Sequence, residues 1–269
     1  MKRSRLRYLA YQMALAIPSA ICTAAVAQTV PASKPYVRLL TAAVVVVIWL
    51  VASNRIKSWY FGDRLRQRLR DGHFDEVAEL YAPAFEHAQR PEARVRMALL
   101  MSVCELEREQ PAAALTWLDR VPEAALDETS RGILLSQRAR ALAEEPAQAL
   151  PVAEEALKLS RGGPNEVAAL TSRGVVHLRA GRARAALADL ERANSLAAAG
   201  GGEVPYLAAG RARFLGEAYL AAGDAEKARA AFARAAAFPQ HIPAARAAAA
   251  ALARTAAGAS APSADEAHP

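Results

Sequence analysis

Three stretches of this chain are near copies of one another. Tyr219 to Ala236 reads YLAAGDAEKARAAFARAA, His177 to Asn194 reads HLRAGRARAALADLERAN, and Arg68 to Phe85 reads RLRDGHFDEVAELYAPAF, with Gly223, Gly181 and Gly72 at the same place in each. Recurrence at a fixed period constrains a fold more than composition does, because each copy must be one supersecondary unit that stacks on the next. Taking the small residue that opens the second half of each copy as a marker puts Val77, Ala113, Ala149, Ala186 and Ala228 in register, at spacings of 36, 36, 37 and 42 residues. The chain is 53% hydrophobic but only 6% aromatic, a helix former's composition rich in Ala and Leu, so the expected class is all-α.

The fifth copy carries Leu215-Gly216, then Tyr219, Gly223, and Ala228 followed four residues on by Phe232. The fourth has Gly174, His177, Gly181, Ala186 and Leu190 in the matching places. From these residues the chain resembles the tetratricopeptide repeat (TPR) family, whose pattern is L-G-x2-Y followed by A-x3-F. The resemblance implies an α-solenoid of about five antiparallel helix pairs over 58–258. Glycine at each turn would allow positive φ, and the small residues Gly174, Gly216, Ala186, Ala228, Ala193 and Ala235 would let helices approach closely. Tyr81, Trp117, Leu190, Phe232 and Tyr219 would then fill the space between units. One pair cannot bury its apolar side alone, so the stack needs a cover. HIPAARAAAAALARTAAG, with Pro243 near its start and Arg246 and Arg254 outward, reads as that capping helix. Residues 259–269 lack apolar periodicity and read as a disordered tail.

Two departures stand out. The third copy has Gln137 and Arg140 where a small residue and an aromatic are expected, which suggests a shifted first helix. The long last spacing coincides with Gly200, Gly201 and Gly202 before Pro205, an inter-repeat turn and not a phosphate loop, since no Lys-Ser/Thr follows.

The net charge of +7 is not spread evenly. Residues 1–70 hold twelve Lys and Arg against Asp63 alone, and the remainder is net negative. The basic excess flanks two apolar runs at about 8–27 and 37–54, so membrane orientation explains it better than nucleic acid does. The second run has no ionised group between Leu39 and Ser53 and reads as a transmembrane helix. The first reads either as the other arm of a helical hairpin or as a signal peptide cleaved after Ala27. Residues 1–57 are thus a membrane anchor in expectation, and the positive-inside rule puts the repeats on the cytoplasmic side.

No metal or cofactor is expected. Cys22 and Cys104 form no Cys-x-x-Cys site, and the five histidines are scattered without H-E-x-x-H or a near carboxylate partner. His177 stands where the repeat has an aromatic. No catalytic constellation is visible, and an enzyme with an unrecognised site ranks third among the functions considered.

In the TPR register, the concave groove would take Arg66 and Arg70 from the first copy, Ser102 and Glu105 from the second, Arg131 and Arg138 from the third, Thr171 and Arg179 from the fourth, and Arg213 and Glu217 from the fifth. Six Arg against two Glu suit an acidic protein or peptide ligand. The Asn residues with which some TPR domains clamp a carboxylate are missing from these positions. The basic residues of 55–70 also suit an anionic lipid surface. The plan is similar to that of bacterial inner-membrane TPR proteins, which implies a membrane-anchored scaffold or adaptor at the cytoplasmic face. The alternative is an exported, membrane-tethered protein of periplasmic envelope assembly.

Overall fold

The computed structural model describes residues 65–259 apart from 87, 202 and 203, together with isolated positions between 36 and 51. The described chain is helical, without a strand. The helices are α1 (Leu65–Arg70), α2 (Phe74–Glu86), α3 (Pro91–Glu107), α4 (Pro111–Leu118), α5 (Glu128–Ala141), α6 (Pro146–Ser160), α7 (Glu166–Arg179), α8 (Ala183–Ala199), α9 (Pro205–Ala221), α10 (Ala225–Ala236) and α11 (Pro243–Ala259), with a 3-10 turn at Glu123–Ala125. Five of them open on proline, whose fixed φ and missing N–H cost nothing in a first turn.

Consecutive helices pair as α1/α2, α3/α4, α5/α6, α7/α8 and α9/α10, and α11 packs on both members of the last pair. First helices also touch one another, α3 to α5 to α7 to α9, and line the concave side. Four of the five turns share one geometry. Gly72, Glu109, Gly181 and Gly223 have φ of 83°, 59°, 71° and 85°. Each next residue donates its N–H to a carbonyl five residues back: His73 to Arg68, Gln110 to Glu105, Arg182 to His177 and Asp224 to Tyr219. These bonds satisfy the last carbonyls of the first helix and reverse the chain. Glu109 holds a conformation that glycine adopts without strain, and no glycine marks the second turn in the sequence.

The small residues act where close approach is needed. A Cβ at Gly216 would lie 2.6 Å from the Phe232 ring, and one at Gly174 would lie 2.7 Å from Leu190. In the third pair Ala153 takes the place of Leu190 and Phe232, so Gln137 on the facing helix need not be small. The tight contact there moves to Gly132 against Ser160, farther from the turn.

The two ends of the stack meet. Leu65, Phe74, Val77 and Tyr81 of the first pair share one core with Tyr206 and Ala209 of α9 and with Ile242, Ala244 and Ala245 at the start of α11. The Phe74 and Tyr206 rings pack edge to face at 5.2 Å, the His73 and His241 rings stack at 4.5 Å, and His241 Nε2 lies 2.6 Å from the Asp71 carbonyl oxygen. Ile242 sits so close to Gly72 that a Cβ there would lie 2.8 Å from its Cγ1.

No helix among the described residues is long and apolar enough to cross a membrane. The runs at 8–27 and 37–54 and the tail lie outside the described residues, except for isolated positions of the second run. Those are helical, with Leu40, Val44, Val46, Val47, Ile48 and Val51 exposed and Trp49 half-buried.

Two stability outcomes follow from this packing. Gly216→Leu is expected to overpack against Phe232 and cost about 1–3 kcal/mol, whereas Leu at exposed Ala225 leaves the melting curve unchanged. Ile242→Ala is expected to cost about 2–4 kcal/mol through the void it leaves. It should also lengthen the spin-label distance between Arg70 and Arg246, both exposed at the two ends of the stack. An unchanged distance would mean that the seam does not depend on this contact.

Candidate ligand-binding cavity

On the concave side lies a partly enclosed cavity of about 260 Å³. Its walls come from four successive first helices, Val103, Leu106 and Glu107 of α3, Ile133, Ser136, Gln137 and Arg140 of α5, Val167, Ala168, Thr171 and Ser172 of α7, and Tyr206, Leu207 and Arg211 of α9, with Pro164 and Asn165 of the turn before α7.

The polar part is built from matched groups. Arg140 holds Glu107 at 2.7 Å, both largely shielded from solvent, and its guanidinium also lies 5.6 Å from the centre of the Phe214 ring. Removing either partner would strand the other's charge, a loss of about 3–5 kcal/mol in buried pairs. Tyr206 is buried beside this pair. Burial raises the pKa of its hydroxyl, Glu107 and Cys104 add to the rise, and Arg140 opposes it. Cys104 is buried, and that burial, reinforced by Glu105, pushes its thiol up to about 12, so it is an inert reduced thiol at neutral pH. Ser136 donates to the Gly132 carbonyl at 2.8 Å and Thr171 to the Val167 carbonyl at 2.7 Å, and the Ser102 hydroxyl donates to the Leu99 carbonyl at 2.8 Å and lies against the side-chain amide of Gln137.

Of the ten residues expected in the groove, Thr171 lines this cavity, and Ser102 supports it from behind through Gln137. Glu105 is buried and pairs with Arg108, which also holds Asp75 at 2.8 Å. Arg131 pairs with Glu155 at 3.2 Å, and Arg138 pairs with Asp119 at 3.1 Å and Glu123 at 3.7 Å. Arg179 bridges Glu144 at 3.0 Å and Glu217 at 3.3 Å. Arg213 reaches Glu109 at 3.0 Å and Glu217 at 3.7 Å while lying over the Phe214 ring. Arg213 and Glu217 border a different hollow, beside α11. Arg66 and Arg70 are exposed on α1. Four of the six arginines therefore already face carboxylates of their own chain.

Glu107, Gln137, Arg140, Tyr206 and Arg211 were not among the expected groove residues. The signal for two of them was present, since Gln137 and Arg140 are where the third copy breaks the repeat pattern. Among the described residues no group of three or more His, Cys, Asp or Glu could hold a metal ion.

The described residues form a helical solenoid of antiparallel helix pairs around a small cavity. No family model matches the chain, and no curated protein matches it. Solved structures that are similar include two of one protein. One is of a Podosopora anserina protein described as a kinesin light chain with nearly identical TPR-like repeats, at 17% identity and a TM-score of 0.43, covering 68% of this chain and 95% of that one. The other is a substituted form of the same protein, also at 17% identity, with a TM-score of 0.44, covering 74% and 97%.

His177 provides a pH-dependent outcome. It is packed at the aromatic position of α7, and burial lowers its pKa despite Asp189 at 3.9 Å, with Arg173 adding to the lowering. Below about pH 6.5 the unfolded chain takes up this proton before the folded one does. Stability is therefore full above that pH and falls as pH drops towards the depressed folded value. His177→Phe is expected to remove this component, so the variant should lose less melting temperature than the parent between pH 7.5 and 5.5. Parallel losses would show that His177 carries none of the pH dependence.

Proposed function

We propose that this protein is a membrane-anchored scaffold whose TPR-like solenoid binds a protein partner at the cytoplasmic face of a bacterial-type inner membrane. The cavity on the concave side carries the reading, because side chains from four successive units converge there around a recess that the chain itself leaves unfilled. Stacked helix pairs generally present such surfaces to protein ligands. Anchoring is supported by the run from Leu39 to Ser53, which has no ionised group and whose described positions are helical, with apolar side chains exposed at Leu40, Val44, Val46, Val47, Ile48 and Val51. The basic excess beside that run supports the cytoplasmic orientation. Exposed Arg66 and Arg70 on α1 suit anionic headgroups at about 1 kcal/mol each. An acidic ligand has less support at the inner positions, where Arg131, Arg138, Arg179 and Arg213 each hold an internal carboxylate.

Photo-cross-linking in intact membranes tests the scaffold. A cross-linking residue in place of Thr171 is expected to capture a discrete protein partner, and the same residue in place of exposed Ala225 should not. Equal capture from both sites would remove the cavity from the reading. Alkaline phosphatase fused after residue 90 should be inactive; activity would favour the exported, periplasmic alternative.

A further inference from the structure

We propose that the cavity is a socket for one tyrosine side chain presented by a partner peptide. The proposal rests on the scaffold reading above and specifies the chemistry of the anchor. A volume of about 260 Å³ lies below the roughly 300–1,000 Å³ of clefts that take drug-sized ligands, so the recess suits a single large side chain. Its walls, Val103, Leu106, Ile133, Val167 and Leu207, are apolar. Leu207 is still 42% exposed at the start of α9, an apolar surface waiting for cover.

The polar groups decide which side chain fits. The Glu107 carboxylate is held by Arg140, and Arg211 also has a partner within the protein. A charged side chain entering the cavity would give up its water and meet charged groups that already have partners within the protein. A wholly apolar one would cover hydroxyl oxygens and leave them unmatched. The Ser136 and Thr171 protons are committed to carbonyls of their own helices, so their oxygens offer lone pairs to the cavity. Gln137 meets Ser102 through one end of its side-chain amide, and in either orientation of that amide at least one N–H is left to donate. The best occupant therefore has a flat apolar body and a tip that both donates and accepts. A phenol meets both conditions, whereas an indole only donates.

The full-length chain in detergent micelles, with Ile, Leu and Val methyls labelled for NMR, is titrated with three neutral probes: N-acetyl-tyrosinamide, N-acetyl-phenylalaninamide and N-acetyl-leucinamide. The tyrosine probe is expected to shift the Leu106, Ile133 and Leu207 methyls saturably. The phenylalanine probe should bind about fivefold more weakly, the factor one neutral hydrogen bond supplies, and the leucine probe more weakly still. Thr171→Val, nearly isosteric, should narrow the preference for tyrosine over phenylalanine. Ala168→Leu, at an exposed wall position, should abolish the saturable shifts without lowering the melting temperature. Equal affinity for the tyrosine and phenylalanine probes, or shifts that never saturate in a chain that melts cooperatively, would overturn the socket. If those results accompany specific cross-linking from position 171, the scaffold stands and the tyrosine anchor falls. Tyrosine binding without cross-linking would keep the socket and remove the scaffold.

Discussion

The seam between the first helix pair and the last helices is the contact on which the rest of the structure depends. A stack of helix pairs ordinarily touches only its neighbours and leaves its concave side open. Here Ile242 fills the space over Gly72, and Phe74 meets Tyr206, so the first and last units bury apolar surface on each other. Both ends of such a stack carry an apolar face that needs cover, and one seam covers part of each. Gly72 serves it twice: its φ of 83° makes the turn, and its missing side chain admits Ile242. Closure shrinks the groove to a cavity and places Tyr206 and Arg211 of α9 across from α3 and α5.

Within the stack, the fit of large against small residues sets which side chains are free to face that cavity. Phe232 needs Gly216 and Leu190 needs Gly174, because helices that close leave no room for a Cβ opposite a bulky group. Ala153 makes no such demand in the third pair. Gln137 can then be polar and long, and one helical turn on Arg140 reaches Glu107. The irregular third copy is therefore the one that contributes most to the polar lining of the cavity.

Charge is handled differently on the two sides of the protein. On the inner side arginines tie neighbouring units together: Arg179 links Glu144 to Glu217, and Arg213 links Glu109 to Glu217. Such links hold units in register and leave these arginines little free charge for a ligand. On the outer edge, Arg66 and Arg70 project from α1, the helix nearest the expected anchor.

The helical class, the repeat and its approximate period were legible in the sequence, because they rest on local chemistry. Glycine marks turns, proline opens helices, and small residues recur where helices cross. Glu109 escaped because its left-handed turn is held by the same hydrogen bonds as the glycine turns, without the residue that advertises them. The candidate groove was only partly legible. The family register assumes an open superhelix, and under that assumption Ser102, Glu105 and the inner arginines face a ligand. Whether the ends meet depends on contacts between residues more than 120 positions apart, such as Phe74 with Tyr206 and His73 with His241. No periodicity encodes such a contact. The repeat by itself determined what each unit is, whereas only the tertiary structure decided that the units close, because closure is settled by the fit of two distant apolar faces.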